Sequence, residues 1–436
     1  MYKEIISGLT SFIGKSPTAF HAVANIGAVL RENGYQRLDE GDRWEIVQGG
    51  KYYVTRNDSS IIALNIGSKL KDYRFKIAAS HSDSPTFKIK ENAEIQVKDK
   101  YMKLNTEGYG GMLCAAWFDR PLSVAGRVIV REGERYAARL LCVDRDLLLI
   151  PNMAIHMNRE VNNGYAYNKQ IDMLPLIGGS ECKKGDFKKF IAKELKVEEG
   201  DVYGMDLYLY NRMAPSVWGM NQEYISCPQL DDLQCAYTSL QGFLQGEDDG
   251  AVNVFACFDN EEVGSGTKQG AASTFLYDIL YRTNLSLGKE EEEFYRGAAR
   301  GFMLSCDNAH AVHPNHTDKT DENNCVYMNE GIVVKSHAGQ KYTSDALSIA
   351  VFRGICEDAG VPLQFFSNRS DMVGGSTLGN IAMSQVSMNS VDIGLPQLAM
   401  HSAYETAGVK DSYYMIRAVR RFFESHIEAL PVDLLP

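Results

Sequence analysis

The stretch that most constrains this chain is Val252-Asn253-Val254-Phe255-Ala256-Cys257-Phe258, which stops abruptly at Asp259-Asn260-Glu261-Glu262 and then Gly264-Ser265-Gly266. An apolar, β-rich run of this length predicts a strand buried on both faces, and the glycines behind it predict a turn. Two adjacent carboxylates therefore stand at a strand's end. If Glu262 binds a cation, Glu261 beside it stays unbound and is free to take a proton from an activated water. Alone the pair means little, because solvated acids commonly end strands. Its weight comes from other polar residues in equivalent positions.

Phe75 to Ser80 is a second apolar run, and it leads into His81-Ser82-Asp83-Ser84-Pro85. Residues two apart in extended chain face the same side, so His81 and Asp83 point together. A metal-ligating histidine needs an acceptor to fix its ring, and a nearby carboxylate serves. Phe302 to Cys306 ends at Asp307, and Gln397 to Met400 ends at His401. Leu230-Asp231-Asp232-Leu233 predicts the first turn of a helix through Leu240, where the helix dipole favours acids. In an open α/β sheet, ligands bind beyond the carboxyl ends of the strands, so residues remote in sequence converge there. His81, Asp231, Glu262, Asp307 and His401 then form one cluster. Two histidines and three carboxylates suit a pair of zinc-like divalent cations sharing one carboxylate, and Asp231 is the expected bridge. Such a pair acidifies a water and polarises a carbonyl, which is what amide hydrolysis requires.

The surrounding chain has α/β texture. Residues 4–34 predict two helices broken at Ser16-Pro17-Thr18, with His21 on the second, and strands follow at 52–55 and 61–66. Further on come a helix over 271–281, a solvated acid run at 290–293, a strand over 361–366 and a terminal helix from Asp411 to about Ala429. Between residues 93 and 225 the texture changes to short β segments (95–97, 128–130, 139–143, 206–210) with one helical patch near 186–195. At 436 residues the chain is long enough for two domains. The expected division is an α/β domain with a mixed sheet from residues 1–92 and 226–436, interrupted by a β-rich domain at 93–225.

Composition removes several classes of function. A net charge of -11 leaves no basic surplus for nucleic acid or an anionic membrane. The opening Met1-Tyr2-Lys3-Glu4 is broken by charges and no apolar span is long enough to cross a bilayer, so a cytoplasmic protein is expected. Nine cysteines without a C-x-x-C pair predict reduced thiols, and Cys114, Cys142, Cys257 and Cys306, lying in apolar runs, are expected in the core. Gly264-Ser265-Gly266 has the wrong spacing for a dinucleotide turn, and no phosphate loop, G-x-S-x-G elbow or H-E-x-x-H helix occurs.

The blocks His81-Ser-Asp83-Ser-Pro85, Tyr109-Gly-Gly111, Trp117-Phe-Asp-Arg120, Ala154-Ile-His156, Leu230-Asp231-Asp232, Asn260-Glu261-Glu262-Val-Gly264, Ser305-Cys-Asp307-Asn-Ala-His310-Ala-Val-His313-Pro-Asn315 and Met400-His401-Ser402 resemble, in order, the aspartyl aminopeptidase family of dinuclear zinc exopeptidases. The resemblance spans nearly the whole chain. It implies a mixed-sheet zinc exopeptidase domain with an inserted β-rich dimerisation domain. It also implies two divalent metal ions per subunit, zinc first and Co2+ or Mn2+ as substitutes. His81, Asp231, Glu262, Asp307 and His401 would be the ligands, Glu261 the general base, and Asp83 the residue steadying the ligand shell. By the same resemblance His313 would sit near the tetrahedral intermediate, and His156 would reach a neighbouring subunit's site. Lys335, Tyr342 and His310 would line the substrate pocket, with Lys335 suiting an acidic first residue. The implied substrates are short peptides with a free N-terminus. The implied assembly is a homo-oligomer in which dimers build a dodecamer.

The chain departs from the family pattern at three places: Lys341 stands where arginine is expected, residues 371–377 lack a Pro-Cys-Gly arrangement, and Asp232 replaces asparagine. The competing readings are a broad-specificity aminopeptidase, a deacylase of the same clan, and a catalytically silent assembly protein.

Overall fold

In a computed structural model of the chain, which describes residues 2–426, the apolar run is the strand Ala251–Phe258, buried along its whole length. It lies in a nine-stranded sheet between Ser60–Ile66 and Arg74–His81. Alternation explains why both of its faces are apolar. Val252, Val254, Ala256 and Phe258 join a core with Phe275, Leu276 and Ile279 of the helix Phe275–Ser286. Phe255 and Cys257 point the other way, into a core shared with the helices Ala19–Glu32, Leu230–Gln245 and Asp411–Glu424.

Ala251–Phe258, Arg74–His81, Phe302–Cys306 and Asn389–Gly394 are neighbours and run parallel, so their carboxyl ends leave the sheet together. Register aligns those ends. Phe258 opposes His81, and Ser305 opposes Ala79, which brings Asp307 level with His81. Ser60–Ile66 and Ile332–Ser336 flank this set antiparallel, making the sheet mixed.

A second, six-stranded sheet is built from antiparallel pairs running from Thr86–Val97 to Val202–Asn211, with the helix Asp186–Leu195 packed on its core. A third sheet joins Ser216–Trp218 and Tyr224–Cys227 to Glu405–Gly408, Pro396–Leu398 and Ala309–His310. The boundaries drawn at 93 and 225 fall inside Thr86–Val97 and inside Tyr224–Cys227. By strand pairing the second sheet takes up the chain at Thr86 and releases it at Asn211.

Several local expectations shift for physical reasons. The helix expected at 271–281 begins only at Phe275, because Ser273 Oγ donates to Gly270 O in a turn ahead of it. The acid run at 290–293 is not merely solvated: Glu290 and Glu293 form a reciprocal capping box on the helix Glu291–Ala299. Gly360, left-handed at φ 60°, closes the helix Ala346–Ala359, so the following strand starts at Leu363 rather than 361. The terminal helix is Asp411–Glu424, and the part expected over 427–429 lies outside the described residues. Cys257 and Cys306 are buried as expected, but Cys114 is only half-buried and Cys142 is exposed. It sits on Arg135–Cys142, an outer strand of the second sheet with most of its residues exposed.

Candidate metal centre

Asp231 stands at the middle of the cluster. Its Oδ1 lies 3.7 Å from His81 Nε2 and its Oδ2 lies 3.4 Å from His401 Nε2. His81 Nε2 is 3.9 Å from Asp307 Oδ1, and His401 Nε2 is 3.3 Å from Glu262 Oε1. The five side chains thus divide into two triads that share one carboxylate. Two donors each about 2.0–2.1 Å from a tetrahedral cation stand roughly 3.3–3.4 Å apart, so these separations leave room for an ion in each triad.

Three observations test whether the residues fit such ions. Asp231 Oδ1 and Glu262 Oε1 are buried and have no hydrogen-bond partner, a costly state for carboxylate oxygens without a counter-charge. His81 Nδ1 donates to Asp83 O at 3.0 Å and His401 Nδ1 to Gly111 O at 2.7 Å, which leaves each Nε2 lone pair facing the carboxylates. Finally, His81 with Asp231, Asp232 and Asp307, His401 with Asp231 and Glu262, and His81 with Glu261 and Glu262 each place ligand atoms within 4.8 Å of one another. The donor set fits two divalent cations.

The local fold explains these positions. Asn260 is left-handed at φ 63°, a conformation asparagine tolerates, and it throws the chain into the short turn Glu261–Val263. The amides of that turn point back at one side chain. Asp83 Oδ1 accepts from Glu261 N and Oδ2 from Glu262 N, both at 3.2 Å, and Oδ2 also accepts from Tyr109 Oη at 2.6 Å. Asp83 therefore steadies both the histidine and the paired glutamates. Asp231 and Asp232 fall in the first turn of the helix Leu230–Gln245 as expected, but their φ/ψ of -84°/107° and -120°/21° kink it there, and the peptide between them is cis. Non-helical backbone lets Asp231 present both oxygens to the cluster.

The second sheet contributes directly. Tyr109 ends its strand Tyr101–Tyr109, bonds Asp83, and accepts from Asn260 Nδ2 at 2.8 Å. Gly111 supplies the carbonyl that orients His401. Glu405, buried in the third sheet, accepts from Asp231 N at 2.9 Å through one oxygen and from His401 N at 2.7 Å through the other. Asp232, also buried, accepts from His81 N at 3.2 Å. Sequence reasoning assigned no role to Tyr109, Gly111 or Glu405. Tyr109 and Gly111 belong to a noticed block, whereas Glu405 carried no signal.

Electrostatics follow from this crowding of acids. Burial, with Asp307, Glu262 and Asp83 around it, pushes Glu261 up to about 8. Burial and Asp231 raise Glu262 to about 7. Burial works against the charged form of His401, but the carboxylates of Asp231 and Glu262 outweigh it and hold the ring up to about 11. His81 is raised in the same way by Asp232, Asp231 and Asp83. A metal-free site thus retains protons that divalent cations would displace, since a bound cation reverses the local preference.

The remaining expected residues are placed differently. Lys335 is buried, and its Nζ donates to Asp307 O at 2.7 Å and Asn308 O at 3.3 Å, lies 3.4 Å from Asp307 Oδ2, and stands 5.4 Å from the centre of the Tyr342 ring. Its ammonium is directed at Asp307 of the cluster. His310 lies within electrostatic reach of Asp231, Lys335 and His401. His313 is exposed and accepts from Asn315 N at 3.2 Å through Nδ1. His156 is exposed on the stretch between Ile150 and Leu176, and among the described residues no hydrogen bond or ion pair joins it to the cluster. Two of the family departures meet: Lys341 Nζ donates to Gly374 O at 2.9 Å.

A mixed sheet whose carboxyl edge holds two histidine–carboxylate triads with one shared aspartate is the architecture of a metallohydrolase. Residues 12–423 match the model of the aminopeptidase I zinc metalloprotease family, M18. A probable M18 family aminopeptidase 2 of Clostridium novyi is 46% identical over 422 residues, covering 95% of this chain and 97% of that protein. Among solved structures, a chain in a cryo-EM structure of the Ape4 and Nbr1 complex has a TM-score of 0.93 at 33% identity, covering 97% of this chain and 86% of that one. The S. cerevisiae mApe1 dodecamer shares the fold, with a TM-score of 0.84 at 23% identity over 97% of each chain. The chain belongs to the M18 family, and it is a zinc-dependent aminopeptidase. Among the described residues, no helix is long and apolar enough to cross a membrane.

Proposed function

We propose that the chain removes the N-terminal residue of short peptides at the Asp231-centred site, with Glu261 as general base and Asp or Glu as the preferred first residue. The observation that carries the reading is the shared carboxylate, with one oxygen toward each histidine, beside a glutamate that neither triad uses. Two bound zinc ions would supply Lewis acidity and lower the pKa of a water. Glu261 takes the proton from the attacking water and returns it to the leaving amine. Asp83 and Glu405 hold the backbone amides that aim the side chains, and His313 donates to the developing oxyanion. His81, Asp231 and Asp307 would hold one ion, and Asp231, Glu262 and His401 the other.

The acidic preference rests on Lys335 in the pocket with Tyr342 and His310. Its ammonium already serves Asp307, so its influence on an acidic side chain is that of a nearby positive charge. The same commitment favours a second reading, an aminopeptidase of broad specificity. Turnover of matched Asp-, Glu- and Leu-headed peptides separates them. Preference for Asp and Glu that falls selectively in Lys335→Gln supports the first, whereas equal losses on all three substrates support the second.

We also assign the chain to a homo-oligomer in which 93–225 serves dimerisation, dimers build a dodecamer, and His156 enters the partner's site. Exposed Met153, Ile155, Met157 and Ile171 near His156 support it, as apolar surface of this kind marks association. A monomer with full turnover would overturn that assignment.

A further inference from the structure

Away from the metal centre, a cleft of about 270 Å³ runs between the helix Ala19–Glu32, the strand Lys51–Arg56 and the second sheet. Three arginines, Arg31, Arg37 and Arg127, line it, in a chain whose net charge is -11. Their commitments are incomplete. Arg31 donates through Nη1 to Tyr53 Oη at 2.9 Å, and that is its one hydrogen bond among the described residues. Arg37 donates to Thr55 Oγ1 at 3.1 Å, and its nearest carboxylate, on Asp58 at the rim of the same cleft, is 3.9 Å away, beyond hydrogen-bond distance. Arg127 stacks 4.4 Å from the Phe20 ring centre and is paired with Asp206, yet its Nε is buried without an acceptor.

A glycine inside a helix lies on the cleft floor. Gly27 costs helix stability relative to alanine, and a Cβ there would stand 3.6 Å from Arg31 Nη1 and 3.7 Å from the Tyr53 ring. Phe20, Val23 and half-exposed Leu140 supply an apolar wall beside the guanidinium groups. Phe20 also walls a small pocket that reaches Asp83, while none of the cluster's own residues lines the cleft.

We propose that this cleft binds a small organic phosphate monoester. The phosphate would sit between Arg31 and Arg37, whose planar forks match it bidentately, and the apolar part would rest on Phe20, Val23 and Leu140. The volume is several times the roughly 30 Å³ share of a water molecule, so inorganic phosphate alone leaves the apolar wall uncovered.

Calorimetric titration of the intact assembly with phenyl phosphate, and separately with inorganic phosphate, tests this. Phenyl phosphate binds saturably, and inorganic phosphate at least about tenfold more weakly. Arg31→Gln and Arg37→Gln each weaken phenyl phosphate at least about tenfold, because each removes a charge-assisted donor. Ala138→Glu, on the exposed outer strand at the cleft mouth, weakens it without touching either arginine and keeps the test independent of their effect on folding. Peptide turnover is unchanged in all three variants. Absent binding, equal affinity in wild type and variants, or inorganic phosphate binding as tightly as the phenyl ester would each overturn the proposal.

Discussion

The strand Arg74–His81 carries a buried ionisable group near each end, and the two are treated in opposite ways. Near its start, Lys76 Nζ donates to Phe423 O at 2.8 Å and Ser425 O at 2.6 Å and meets Asp248 Oδ2 at 3.2 Å. Every proton of that ammonium has a partner. At its end, His81 turns Nε2 toward Asp231 and Asp307 at 3.7 and 3.9 Å, and Asp231 Oδ1 has no hydrogen-bond partner. A buried charge with satisfied geometry ties the end of the helix Asp411–Glu424 to the sheet. A buried cluster with unsatisfied oxygens is built to receive cations.

That contrast yields graded expectations. Glu261→Gln lowers turnover about 10²–10⁴-fold while metal content stays at the wild-type level, because the residue moves a proton and belongs to neither triad. Steady-state rates alongside elemental analysis check both halves. Lys76→Met does the reverse: it leaves Asp248 and two helix-end carbonyls without their cation, costing about 3–5 kcal/mol in denaturant midpoint while turnover per folded chain is kept.

The pH dependence of stability comes from the same lysine. Burial brings Lys76 down from 10.5 to about 8. Between those values the folded chain has released the proton and the unfolded chain still holds it. Stability therefore rises as pH increases through that window, by on the order of 3 kcal/mol from this group. Lys76→Met should lose that rise in denaturation curves. A smaller effect belongs to Glu405→Gln, which replaces one of two amide-accepting oxygens with a donor. It should weaken metal binding about 10–100-fold, seen by titration of the metal-free protein, with the fold intact by circular dichroism.

The convergence of His81, Asp231, Glu262, Asp307 and His401 was legible because each follows a strand or opens a helix, and parallel strands gather such positions at one edge. Residues that act through the backbone were not. Glu405 accepts from the amides of Asp231 and His401, and Gly111 offers a carbonyl to His401 across 290 residues. Nothing in residue type or spacing announces such a bond. Asp231 was readable as a member of the cluster and as a first-turn residue, but its non-helical backbone was not, since an Asp-Asp-Leu opening a helical pattern looks like a regular start. Burial of Cys142 was over-read for a related reason: an apolar run does not say whether its strand lies inside a sheet or at the outer edge.

Metal stoichiometry of the wild type and of Asp231→Ala tests the account's centre most directly. The shared-carboxylate geometry predicts two tightly held divalent ions per chain in the wild type, with both lost or severely weakened when Asp231 is removed. A single ion in the wild type, or two retained in Asp231→Ala, would contradict it.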